Sequence, residues 1–253
     1  MGGLRGAART TGPAVRRWRV VHPGLDPSAS EIRLADDEAH HVARVLRLKP
    51  GDRIGVFDGV GNEWHAVLVE VGPGGVVARV GDPCIDPVEP DLEVTLFQSL
   101  CRPDRFEWIL QKGTEIGVRT FRPVIAGGSD RARMTDNRAA RWRRIVVEAC
   151  KQSGRRRVPA IEPPMPILEA RPSGVGWVLD RADASPLADA LAERPRSVSL
   201  LVGPESGLSG DELGALERAG WVRVSLGPRV LRTETAGAIA TALVLHAWSD
   251  LGR

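Results

Sequence analysis

Two loops in the C-terminal third of the chain carry residue types that could do chemistry. The first, LVGPESGLSG (Leu201–Gly210), begins inside the apolar run Ser197–Val202. Three glycines and a proline in ten residues forbid a regular element, which puts the loop at the carboxyl end of a buried strand. The second, LGPRVLRTETA (Leu226–Ala236), ends the strand-like WVRVSLG. Ligands bind at this edge of an open α/β sheet, because backbone N–H groups and helix N-termini are exposed there. Gly203, Gly207 and Gly227 let the backbone come close to a ligand, and Leu226, Val230 and Leu231 can wall an apolar slot for an adenine ring. If sequential strands are neighbours, the two loops lie side by side. GxxxxGK[ST] is absent, as is GxGxxG after any strand, which argues against a P-loop, a dinucleotide fold and a nicotinamide oxidoreductase.

The elements that must position these loops alternate. LEVTLFQSL, TFRPVIA, GVGWVLD, SVSLLVG and WVRVSLG are predicted strands. Between or after them come the predicted helices PDRFEWILQKGTEIGV, NRAARWRRIVVEACKQSG, a short PLADALAER, a helix from about Gly210 to Gly220, and RTETAGAIATALVLHAWSDL. Pro103 can start the first helix and Gly117 end it, while Ser209 and Glu212 have capping-box spacing. Alternation of this kind specifies a parallel α/β sheet. Upstream the pattern differs. WRVVHP, RIGVFDG, EWHAVLVEV and GVVARVGD read as short strands of a small barrel or sandwich, with one short helix in ADDEAHHVARVLRL. The proline-rich GDPCIDPVEPD marks a linker, so residues 1–17 are expected to be a basic tail, 18–86 a first domain and 87–253 a second.

Composition narrows the function classes. The 253 residues are 42% hydrophobic, enough for a core without metals or disulfides. Three dispersed cysteines give no disulfide framework, and the five histidines pair with no ligand at metal spacing, so no metal is expected. No apolar run is long enough for a signal or a membrane span, which points to a soluble cytoplasmic protein. Net charge is only +3, yet arginines cluster in RWRR (Arg141–Arg144) and GRRR (Gly154–Arg157), a density suited either to phosphates or to a solvated helix face.

LVGPESGLSGDE together with SLGPRVLRTETA resembles the paired C-terminal motifs of the RsmE family of 16S rRNA uridine-N3 methyltransferases, members of the SPOUT class. The resemblance extends through QSLCRPDRFEWILQKGTEIGV, EACKQSGRRRVP and HHVARVLRLKPGD, nearly the whole chain from about Trp18. It implies a SPOUT-type parallel sheet with a C-terminal trefoil knot, preceded by a PUA-like β-barrel that binds RNA. The knot loops would be Leu201–Gly207 and Leu226–Thr235. S-adenosylmethionine would lie against Leu201, Gly203, Pro204 and Glu205 from one loop, and Leu226, Gly227, Val230, Leu231 and Thr235 from the other. The implied partners are 16S rRNA within the assembled small subunit, with uridine-1498 as target, and a second copy of the chain packed through the knot.

N3 of uracil carries a proton at neutral pH, so the enzyme must help it become a nucleophile. Two routes are open: a general base, for which Glu205 or Glu234 is placed, or stabilisation of charge on the flanking carbonyl oxygens, for which Arg232 is placed. Arg232 could equally clamp a phosphate or pair with Glu234, and Glu205 could cap loop amides. Arg102, Glu115, Glu148, Gln152 and Arg155 are family-like polar positions expected in a network at the site or the dimer seam. Arg102, Gln152 and Arg155 are also expected to reach RNA, and Glu148 and Gln152 could simply pair along one helix. Arg17, Arg19, Arg44 and Arg47 are expected to contact phosphates, and His41 to stack on a base. Ser206 stands where the family more often has glycine, and Arg102 where it more often has lysine. The competing readings are a SPOUT enzyme acting on another rRNA or tRNA position, and a non-catalytic ribosome-assembly protein. The intact LGPRVLRTETA disfavours the first, and donor binding would exclude the second.

Overall fold

The computed structural model describes residues 18–127, 135–181, 184–248 and 251, in two units divided between Asp86 and Pro87. Arg17 and the rest of the basic tail lie outside the described residues.

The first unit is a five-stranded sheet in the order β1-β3-β4-β5-β2. Its strands are β1 (Arg19–Val21), β2 (Glu31–Arg33), β3 (Arg53–Phe57), β4 (Glu63–Gly72) and β5 (Gly75–Pro83), paired antiparallel except for β1 with β3. On β4, Trp64, Ala66 and Leu68 turn inward while His65 and Val67 face out, the period-two alternation of a half-buried strand. Between β2 and β3, α1 (Asp36–His40) runs on into a π-helical turn (His41–Val45) that adds Val42 to the core.

Arg19 corrects an expectation. It is buried, with Nε and Nη2 donating to the two Glu63 carboxylate oxygens at 2.8 and 3.1 Å and its guanidinium stacked on the Phe57 ring. A bidentate pair inside the core is committed to the fold and offers no donor to RNA.

The second unit comprises β6 (Glu93–Ser99), α2 (Pro103–Ile116), β7 (Thr120–Ile125), α3 (Asp136–Ser153), β8 (Ala160–Ile161), β9 (Met165–Pro166), β10 (Val175–Leu179), β11 (Ser185–Pro186), α4 (Leu187–Ala190), β12 (Ser197–Val202), α5 (Gly210–Arg218), β13 (Trp221–Ser225) and α6 (Thr233–Ala247). All its pairings are parallel, in the order β11-β13-β10-β12-β6-β7-β8, with β9 also on β7. Local signals act as read. Pro103 opens α2, Gly117 closes it at φ 131°, and both bonds of the Ser209–Glu212 capping box form on α5. The helix expected over PLADALAER is only the four-residue α4.

The sheet is covered on both faces. Leu96, Leu200 and Val202 belong to the layer shared with Phe106 of α2, Trp142 of α3 and Val244 of α6, whereas Phe97, Val178 and Leu201 pack with Leu216 of α5 and Trp221. One difference from the sequence matters for the site. β12 and β13 are not neighbours, because β10 lies between them and pairs with both.

Candidate active site

Three strand ends therefore converge at the carboxyl edge of the sheet. The loop after β12 and the segment after β13 flank Leu179, the last residue of β10, and Asp180, which follows it. Together they enclose a cavity of about 380 Å³ that continues into a second of about 160 Å³. Leu179, Asp180, Val230, Leu231 and Ala236 line both. The larger cavity falls in the roughly 300–1,000 Å³ range of small-molecule sites.

Local backbone chemistry shapes the walls. The Gly207 N–H donates to the Pro204 carbonyl at 3.0 Å, closing a tight turn, and Gly207 itself sits at φ 80°. The left-handed position of GPESG is thus Gly207 and not Ser206; among the described residues Arg47 is the only non-glycine at positive φ. Serine at 206 therefore carries no backbone strain. After β13, Gly227 takes φ 99° and its N–H donates to the Ser225 hydroxyl at 3.1 Å. Gly203 is needed for closeness, since a Cβ there would lie 2.9 Å from Leu208 Cγ.

Charge is organised around Arg105, in the first turn of α2. Its Nη1 is hydrogen-bonded to Glu205, and its Nε lies 3.8 Å from Glu234 Oε1. Arg232 Nη1 reaches the same Glu234 oxygen at 4.0 Å, and the Arg232 side chain is 76% exposed at the cavity rim. Beneath them, burial pushes the Cys101 thiol up to about 12, with the charges of Glu234 and Glu205 adding to it against Arg105. On the other side of the cavity, Asp180 Oδ1 accepts the Arg181 N–H at 2.6 Å.

The predicted residues divide. Gly203, Pro204, Glu205, Val230, Leu231 and Arg232 line the larger cavity, and Leu226 and Gly227 the smaller. Leu201 does not: its side chain is fully buried in the opposite layer, and Val202 faces the cavity instead. Thr235 also stands outside the lining. Arg102 is exposed beside Asp104 at 3.4 Å, and the cation that enters the cavity is Arg105, one helical turn further on. Arg155 corrects a second expectation of RNA contact. It is buried, with Nη2 2.8 Å from Glu89 and Nη1 donating to the carbonyls of Thr114 and Val118 at 3.0 and 2.7 Å.

Glu115 pairs with Lys112 and Glu148 with Lys151, both at three-residue spacing on their helices, and neither lines the cavity. Gln152 is exposed near the end of α3. In the first unit Arg44 and Arg47 are exposed and His41 is half-buried. Sequence reasoning missed Arg105, Leu179, Asp180 and Leu208. Asp180 had a signal, an acid at the carboxyl end of the strand in GVGWVLD; Arg105 had none beyond its place one turn into a helix.

Comparisons with known proteins agree with this architecture. An RNA methyltransferase domain model matches residues 88–245, and an RNA methyltransferase PUA domain model matches residues 34–81. The ribosomal RNA small subunit methyltransferase E of Mycobacterium tuberculosis is 36% identical over 232 residues, covering 86% of this chain and 87% of that protein. Its Bacillus subtilis counterpart is 30% identical over 233 residues, covering 86% and 91%. A crystal structure of the Neisseria gonorrhoeae enzyme of the same name, bound to S-adenosyl methionine, superposes with a TM-score of 0.84 at 33% identity over 92% of this chain and 99% of that one. A Legionella pneumophila protein solved with the cofactor SAM superposes at 0.82, with 29% identity over 91% and 98%.

Proposed function

The chain belongs to the RsmE family of ribosomal RNA small subunit methyltransferases, and on that premise we propose that it methylates N3 of a uridine in 16S rRNA, uridine-1498, with S-adenosylmethionine as donor. The observation that carries this reading is the cavity formed by the ends of β12, β10 and β13, with Arg232 exposed at its rim.

The residues fit the donor. Leu226, Val230 and Leu231 supply apolar wall for an adenine ring, and Asp180 and Glu205 supply negative charge for a ligand that carries a sulfonium and an ammonium. The bound donor supplies an electrophilic methyl group. The chain must hold the uracil, exclude water and take up the N3 proton. Glu205 is already engaged by Arg105, whereas the Arg232 side chain stands exposed at the rim, where its guanidinium can stabilise negative charge on a uracil carbonyl oxygen. As the N3–H bond breaks, its proton passes to the Glu205 carboxylate. The freed N3 pair forms the new N–CH3 bond, and the sulfur–methyl pair stays on sulfur.

Arg44, Arg47 and His41 are proposed to hold rRNA through the first unit, which makes residues 18–86 the RNA-binding domain and 87–253 the catalytic one. The larger, prefolded target is the assembled small subunit, in the cytoplasm. Trp108 on α2 and Ile239 and Leu243 on α6 are exposed apolar side chains on two helices that pack together, which supports a homodimer through this region. The proposed trefoil knot has support in the path of the chain, because α6 follows β13 yet packs on β6 and β12, beyond β10. Among the described residues no helix is long and apolar enough to cross a membrane, and no group of three or more His, Cys, Asp or Glu could hold a metal.

The test is transfer from labelled donor to small subunits purified from cells lacking this protein, with the modified nucleoside identified after digestion. The expected product is 3-methyluridine, lost in Arg232→Ala while donor binding survives. Label in a ribose or another base would overturn the substrate assignment.

A further inference from the structure

Gln98 lies near the carboxyl end of β6, in the middle of the sheet, and is fully buried. Its Nε2 is 2.8 Å from Thr233 Oγ1, and Thr233 Oγ1 is 2.9 Å from the carbonyl oxygen of Gly203. Hydrogen-bond valence fixes the direction of this chain. A carbonyl can only accept, so the single hydroxyl proton of Thr233 goes to Gly203; the hydroxyl must then accept from Gln98, which is possible only with the amide NH2 turned toward it. The Gln98 Oε1 is left against Gly237, where a Cβ would lie 3.0 Å away, and has no hydrogen-bond partner.

A leucine would fill the same space without leaving a buried acceptor unpaired, so packing does not explain this amide. What it does is reach the site. Gly203 belongs to the loop after β12 and Thr233 to the segment after β13, the two parts of the cavity wall that β10 keeps apart in the sheet. Thr233 also follows Arg232 directly and begins α6.

We propose that Gln98 and Thr233 are positioning residues for the methyl donor: a buried relay, Gln98 to Thr233 to the Gly203 carbonyl, ties the two loops together and sets the backbone against which the donor lies. The inference rests on the proposal that this cavity holds the donor. Because the two residues act in series on one carbonyl, their loss is not additive.

The test uses the full chain and calorimetric titration with S-adenosylmethionine, for the wild type, Thr233→Val, Thr233→Ser, Gln98→Leu and the double variant Gln98→Leu/Thr233→Val. Thr233→Val should weaken donor binding about tenfold, about 1.4 kcal/mol at 25 °C. Gln98→Leu should weaken it severalfold, and the double variant no more than Thr233→Val alone. Thr233→Ser should bind within threefold of the wild type. Circular dichroism and melting confirm that each variant is folded; should Gln98→Leu not fold, the Val and Ser pair at position 233 decides. Thr233→Val within twofold of a wild type that binds overturns the relay alone, as do single effects that multiply in the double variant. A wild type that binds no donor overturns the site and the relay with it.

Discussion

Arg155 separates two readings of the same residue most sharply. Within GRRR it reads as a phosphate contact, yet the folded chain buries it as a staple between three segments. Glu89, just after the boundary between the units, accepts from Arg155 Nε and Nη2 at 3.2 and 2.8 Å and from the backbone N–H groups of Arg156 and Arg157 at 2.7 and 2.9 Å. Arg155 Nη1 meanwhile closes the end of α2 through the carbonyls of Thr114 and Val118. Arg155→Met keeps the apolar stem, removes the guanidinium and leaves Glu89 a partly buried charge with two donors.

Removing one partner of a buried pair costs about 3–5 kcal/mol, and the partial exposure of Glu89 argues for the lower figure, about 3 kcal/mol. In a chain of this size that is a fall in melting temperature of roughly 6–12 °C. The sign with pH follows from Glu89. Burial pushes its carboxyl up, but the charge and hydrogen bonds of Arg155 and the two N–H groups outweigh this and hold it below its ordinary value of 4.5. A depressed carboxyl contributes stability that is complete above its unfolded value and is lost as pH falls through the folded one, so the gap between wild type and variant should narrow below pH 4.5. Thermal melts across that range, with subunit binding measured well below both transitions, give the answer. A variant that melts within a degree of the wild type and yet loses affinity for the subunit would refute the staple.

Gly203→Ala places a Cβ 2.9 Å from Leu208 Cγ, so Leu208 must give way within the cavity wall; an overpacking cost of about 1–3 kcal/mol and donor affinity reduced about tenfold are expected, read by melting and calorimetry. Gly227→Ala meets no neighbouring atom but inherits φ 99°, so it should lose about 1–3 kcal/mol through the backbone alone, again by melting. Alkylation of the native protein at pH 8 should label the half-buried Cys84 and spare Cys101, whose thiol is pushed up to about 12, as peptide mass mapping would show.

Much of the fold was legible because its signals are local. The capping box at Ser209 and Glu212, the glycine that ends α2 and the alternation along β4 each need only a few consecutive residues, and all three form. The strand order was not legible. Sequence shows that β10, β12 and β13 exist, but the rule that consecutive strands are neighbours is a tendency, and here β10 separates the other two. Leu179 and Asp180 were missed for that reason alone. Leu201 failed for a related one. In SVSLLV the serines at 197 and 199 fall on the same face as Leu201 and opposite Val202, but in a parallel strand covered on both faces that alternation does not say which face meets the cavity.

The charged residues failed by a different physics. An arginine's task is set by its partner, and the partners here are distant in sequence: Glu63 for Arg19, 44 residues away, Glu89 for Arg155, 66 away, and Glu205 for Arg105, 100 away. Composition counts such residues alike, as surface charge, whereas burial sorts them into staples that build the scaffold and cations that reach the cavity. The polar relay from Gln98 to Thr233 spans 135 residues and is invisible in either segment. Where a function depends on such pairs, sequence names the loops that hold the ligand, and only the fold says which buried polar groups hold the loops. The double variant at Gln98 and Thr233 measures that second layer directly, because a shared path to one carbonyl must show as non-additivity, and two independent supports would not.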